Sequence, residues 1–144
     1  MAAWETVLEI SGNSPNMLNI KVTLRIFSET YSLSQISSLL GKPAKGFSVG
    51  EVYGKSNKTR ELTLWSIETS LPQENSLDSH INEIITFLDS RSESIEMLRH
   101  DCTLDVFCML RTDNGQGGAV LPYPIMEKLS NYRINVVLDV YADE

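Results

Sequence analysis

The chain has 144 residues, 42% of them hydrophobic and 22% charged, which suits one soluble domain over residues 1–144 with a sizeable core. Two cysteines exclude a disulfide-stapled scaffold, and a net charge of −7 disfavours binding to nucleic acid phosphates. No apolar run approaches the roughly 20 residues a bilayer requires, and "MAAWETVLEI" has no basic flank of the kind a signal peptide carries, so the expectation is a cytoplasmic protein that does not engage the membrane.

Trp4, Thr6, Leu8 and Ile10 alternate with Glu5 and Glu9, predicting a strand before the turn cluster "SGNSPN". A clearer strand follows, with Ile20, Val22, Leu24 and Ile26 on one face and Lys21, Thr23, Arg25 and Phe27 on the other. "YSLSQISSLLGKP" predicts a short helix. Ser32 and Gln35 fit a capping box, Ile36, Leu39 and Leu40 form the buried stripe, and Gly41 and Pro43 stop it. A basic loop comes next, with a short strand near residues 49–53. "RELTLWSIETS" predicts another strand, with Leu62 and Leu64 inward and Thr63, Trp65 and Ile67 outward.

A helix starts near Ser76 and carries Leu77, Ile81, Ile84, Ile85 and Leu88 at helical spacing, with Asp78 suited to its positive end. "SESIEMLRHD" predicts a further helical turn. A third helix starts at Pro124 with Ile125 and Leu129 buried, and "RINVVLDVYA" closes the chain as a strand. Alternating strands broken by amphipathic helices predict an α+β two-layer sandwich: a mixed or antiparallel sheet with helices on one face, ferredoxin-like with extra elements.

Both cysteines lie in "RHDCTLDVFCMLRTDNGQGGAVLP", residues 99–122. Cys102, Leu104, Val106, Cys108 and Leu110 share one parity, which places both thiols on the apolar face. Six residues of strand span roughly 20 Å, too far for the two to bond. Their spacing is not that of a zinc or redox site, so no metal and no cofactor is expected. His100 and Asp101 are neighbours in an extended segment and face opposite ways, so they do not assemble a base. His80 falls beside the helical stripe, in a packed or half-exposed role instead of metal ligation. The glycines of "NGQGG" precede extended, proline-broken chain instead of the helix a phosphate cradle needs, so they form a turn.

Charge is uneven. Residues 41–60 hold Lys42, Lys45, Lys55, Lys58 and Arg60 against Glu51, while residues 74–96 hold six acids against Arg91 alone. The outward strand parities predict one sheet surface that gathers Arg25, Trp65, Asp105, Phe107, Asp139 and Tyr141, a mixture of aromatics and charges typical of protein interfaces. Covering of that surface by the N-terminal segment or the basic loop is the other arrangement the pattern allows.

The run "LNIKVTLRIFSETYSLSQISSLLGKPAKGFSVGE" followed by "LWSIETS" resembles a bacterial family catalogued as domain of unknown function 4279. The shared positions are Leu39, Leu40, Gly41 and Pro43, then Gly50, then Trp65, Ser66, Ile67 and Glu68. The likeness extends to the downstream helix, the strand from Cys102 and "INVVLDVY", but not to the segment through Pro15. It brings no established activity or catalytic residue, and loosely implies accessory or immunity-type roles.

No nucleophile motif, metal cluster or cofactor fingerprint is present, so a non-enzymatic protein-binding module is expected, immunity- or antitoxin-like, inhibiting a basic toxin. Its partner-binding residues would be Glu83, Asp89 and Glu93 on the acidic helices together with the sheet-surface residues above. The alternative is a ligand-sensing domain in which Lys42, Lys45, Lys55 and Arg60 hold an anionic small molecule, with pairing into a homodimer compatible with either. Asp105 and Asp139 facing the same way would suit paired-carboxylate chemistry, but a salt bridge from Arg25 explains them more simply.

Overall fold

A computed structural model describes residues 18–142. The strand expected over residues 4–10 and its turn lie outside the described residues. The elements run β1 (Asn19–Ser28), α1 (Leu33–Leu40), β2 (Lys45–Phe47), β3 (Val52–Tyr53), β4 (Lys58–Thr59), β5 (Thr63–Glu68), α2 (Leu77–Ser90), α3 (Ser92–Leu98), β6 (Cys102–Thr112), α4 (Tyr123–Asn131) and β7 (Ile134–Ala142).

The five-stranded sheet has the order β2-β5-β1-β6-β7, and β3 pairs with β4 in a small hairpin of its own. All neighbours are antiparallel except β6 and β7. A parallel pair needs a long crossover, here supplied by the glycine-rich loop and α4. The protein is thus α+β, and what it shares with ferredoxin-like sheets is the layering, with helices on one face only.

β1 is central because its alternation is complete. Ile20, Val22, Leu24 and Ile26 are buried on the helix side, and every intervening residue is half-buried on the other. The inward parity of β6 also holds, with Leu104, Val106, Cys108 and Leu110 in the core and Cys102 half-buried at the strand's start.

α1 is capped as its sequence requires: Ser32 Oγ accepts from the Gln35 amide, and Gln35 Oε1 accepts from the Ser32 amide. Gly41, at φ 101°, ends the helix in a conformation that side-chain-bearing residues rarely adopt. Ser76 caps α2, whose Leu77, Ile81, Ile84, Ile85 and Leu88 are all buried.

Register corrects the expectation for β5. Ile26 lies opposite Trp65 and Leu24 opposite Ile67, and residues directly opposed across a ladder share a face. Thr63, Trp65 and Ile67 therefore point toward the helices, and Leu64 points away. Trp65 is 0% exposed. Its ring stacks on Phe87 of α2 at 5.9 Å and its Nε1 donates to the Gly41 carbonyl at 2.9 Å. β5 carries bulky apolar residues at both parities, so alternation alone could not orient it. The stacking partner and the carbonyl that satisfies the indole N–H both come from elsewhere in the chain.

Candidate functional site

The side of the sheet away from the helices gathers Thr23, Arg25 and Phe27 of β1, Leu64 of β5, Asp105, Phe107 and Met109 of β6, and Val137, Asp139 and Tyr141 of β7. Arg25 lies directly opposite Asp105 and forms a two-pronged bond with it, Nε to Oδ1 at 2.8 Å and Nη2 to Oδ2 at 2.7 Å. Asp105 is only 7% exposed. Its hydrogen bond raises the Arg25 pKa above its ordinary value against the opposing effect of burial. The Arg25 guanidinium also lies 4.5 Å from the Phe107 ring centre and 5.1 Å from that of Phe27. Asp139 stands opposite Met109, one strand further out, and raises the pKa of the neighbouring Tyr141 phenol. Asp105 is bound by Arg25 and Asp139 sits beside Tyr141, an arrangement of structural pairs.

Two depressions open at one end of this face and share Phe27 and Leu62. One, of about 660 Å³, is lined by His100, Cys102, Thr103 and Asp105 among others. Cys102 lies opposite Ser28 across the β1–β6 ladder and is held above the ordinary thiol pKa chiefly by burial. No hydrogen bond joins it to the exposed His100 among the described residues. Cys108 is fully buried and pushed up to about 12. Neither thiol is primed as a nucleophile.

The other depression, of about 700 Å³, lies under the β3–β4 hairpin and is lined by Phe47, Tyr53, Lys58 and Arg60 among others. The Arg60 guanidinium is 3.9 Å from the ring centres of both Phe47 and Tyr53. Lys42, Lys45 and Lys55 are exposed and do not line it, so of the four cations expected to hold an anion only Arg60 is in place. Lys58 joins it instead. The signal was present in the sequence, since Lys58 and Arg60 share parity on one short extended segment.

The acidic residues belong to the helix layer and do not meet the sheet surface. Glu83 accepts from the backbone amide and hydroxyl of Ser70, fastening the loop before α2. Asp89 accepts from the Tyr132 hydroxyl and from Lys128, tying α2 to the end of α4. The Tyr132 bond is the largest influence holding Asp89 below its usual carboxylate pKa. Glu93 is exposed in the first turn of α3. With Trp65 in the core, the expected partner-binding residues separate into an open-face group (Arg25, Asp105, Phe107, Asp139, Tyr141), two helix-layer acids bonded within the chain (Glu83, Asp89) and the exposed Glu93. Met109 and Val137 follow the outward parity of their strands, whereas Phe47 and Leu64 are open-face residues that alternation did not reveal, because only the ladder registers bring them alongside Phe27.

Among the described residues, no cluster of His, Cys, Asp and Glu is placed to hold a metal ion, and no helix is long and apolar enough to cross a membrane.

A family model described as "Domain of unknown function (DUF4279)" matches residues 18–143. The chain belongs to the DUF4279 family. No curated protein and no solved structure matches it significantly. The DUF4279 match includes every residue of the open face and both depressions, and leaves residues 1–17 outside it.

Proposed function

We propose that this DUF4279 protein is a non-catalytic, cytoplasmic binding module that receives a protein partner on its open sheet face. The observation carrying this reading is the Arg25–Asp105 pair set between Phe27 and Phe107 on a face that no described helix covers. Arginine, aromatic side chains and methionine are the residues enriched in the cores of interfaces, and here they are held rigid by cross-strand pairing. Immunity- or antitoxin-like inhibition of a basic toxin is the narrower form of the reading. It is supported by the net charge of −7, which steers a basic partner toward the molecule. Glu83 and Asp89 add to that field but are already bonded within the chain; Glu93 is exposed in the first turn of α3.

Affinity capture from the source cell tests this with three forms of the full chain. The wild type and a helix-side control, Met97→Asp, are expected to retain the same protein partner, and Phe107→Asp with Met109→Asp is expected to lose it. No partner retained even at low salt, or retention indifferent to the face variant, overturns the reading. Binding unchanged by Glu93→Lys would remove only the electrostatic part.

Arg60 favours a second reading, the sensing of an anionic small molecule. Its charge lies 3.9 Å from the centres of two rings, beside Lys58 in an open depression where a carboxylate or phosphate could meet both cations. This predicts a thermal shift with an anionic metabolite that Arg60→Met abolishes. A panel of anionic metabolites giving no shift overturns it.

A further inference from the structure

The two edges of the sheet are protected very differently. At one end β2 has three residues, one of them Lys45, and a short charged edge resists pairing with another chain. At the other end β7 has nine residues, INVVLDVYA, with no proline, no lysine and one charge, Asp139. Its pairing with β6 runs unbroken from Leu104 opposite Ile134 to Thr112 opposite Ala142, so no bulge twists the edge away. Among the described residues, nothing pairs with its outer side.

The helix-side face of β7 is also uncovered. Ile134 is 7% exposed, but exposure rises along the strand to 37% at Val136, 57% at Leu138 and 65% at Val140. Lengths explain the gradient: nine helical residues of α4 cover about 14 Å, whereas nine strand residues extend about 30 Å. The helix ends next to Ile134 and leaves the far part of the strand bare.

We infer that β7 is the seam of a homodimer, in which two copies pair antiparallel about a twofold axis through Leu138 and join their sheets into one of ten strands. A twofold edge contact presents the same groups from both sides, and this strand is complementary to itself in one register. With Leu138 opposite Leu138 of the second copy, Val136 meets Val140 and Val137 meets Asp139. All three exposed apolar residues then lie on one shared face, and no like charges are directly opposed. Centring the axis on Asp139 would set the two carboxylates against each other, and centring it on Val137 would leave Val140 at the margin. The same axis puts both helix layers on one side, so the two α4 helices flank the seam. Both open faces then merge into a single surface, although the dimer does not depend on what that surface binds.

Light scattering on the full chain at micromolar concentration is expected to give about twice the monomer mass. Leu138→Lys is expected to give a monomer with an unchanged far-ultraviolet circular dichroism spectrum, since the side chain is exposed in the single copy. Leu138→Cys is expected to form a disulfide-linked dimer on oxidation, because directly opposed residues have Cα atoms about 4.5–5.5 Å apart, within disulfide range. A monomeric wild type overturns the inference. If the β7 amides of that monomer exchange slowly, the edge is covered by residues 1–17 of the same chain. A dimer that survives Leu138→Lys and does not cross-link through Leu138→Cys uses another surface, and equally overturns it.

Discussion

Arg25 and Asp105 face each other across the β1–β6 ladder and share two hydrogen bonds of 2.8 and 2.7 Å at the centre of the open face. The pair is semi-buried, with side-chain exposures of 28% and 9%. Removing one partner leaves the other charge without its bonds in a place that water reaches poorly. Asp105→Ala is therefore expected to cost about 2 kcal/mol, in the range for hydrogen bonds to charged groups. Replacing both residues with apolar ones (Arg25→Met, Asp105→Leu) is expected to cost less than the sum of the single changes. Urea unfolding of the four proteins measures this, and strict additivity would show that the pair is not coupled.

His80 predicts a pH dependence. It is buried, donates through Nε2 to the Pro72 carbonyl at 3.1 Å, and accepts at Nδ1 from the Thr69 hydroxyl at 2.6 Å, a neutral imidazole. Burial lowers its pKa below 6.5, outweighing the Pro72 bond and the charge of Glu83. The unfolded chain takes up the proton first as pH falls, so the contribution of His80 is complete above 6.5 and declines from there down to the folded-state pKa. The slope in that window is at most about 1.4 kcal/mol per pH unit. Unfolding free energies at neutral and mildly acidic pH are expected to show the decline, and His80→Asn to flatten it.

Trp65 is expected to emit at short wavelength and to resist acrylamide quenching in a Trp4→Phe background, where it is the one remaining tryptophan. Trp65→Ala should cost about 3–5 kcal/mol, the usual range for emptying a large aromatic site in a core. Because Trp65 faces the helices, its emission reports on the core and is silent about the open face. A tryptophan introduced at Phe107 would report there instead. Ready quenching of Trp65 would reverse the orientation of β5.

The thiols are expected to be unreactive. Cys108 is buried with its pKa pushed up to about 12, and Cys102 is also raised, both chiefly by burial. Ellman's reagent at neutral pH should modify Cys102 slowly and Cys108 only as the protein unfolds. A thiol that reacts within seconds in the folded protein would bring the depression shared by Cys102 and His100 back into consideration as a chemical site.

Local pattern determined much of this protein. Capping and helical spacing place α1 and α2, complete alternation orients β1 and β6, and the absence of a following helix makes "NGQGG" a turn. Each of these depends on residues within a few positions of one another, so the sequence displays them directly. Tertiary structure decided the rest. β5 is apolar on both sides, and it turned Trp65 inward because Phe87 and the Gly41 carbonyl meet it there. Glu83 and Asp89 read as free charges until Ser70, Lys128 and Tyr132 were brought against them. The apolar residues of β7 alternate as a core strand should, yet most stay exposed because α4 is too short to reach them. In each case the deciding contact comes from a partner that is distant in sequence or missing, and periodicity within one segment carries no information about either.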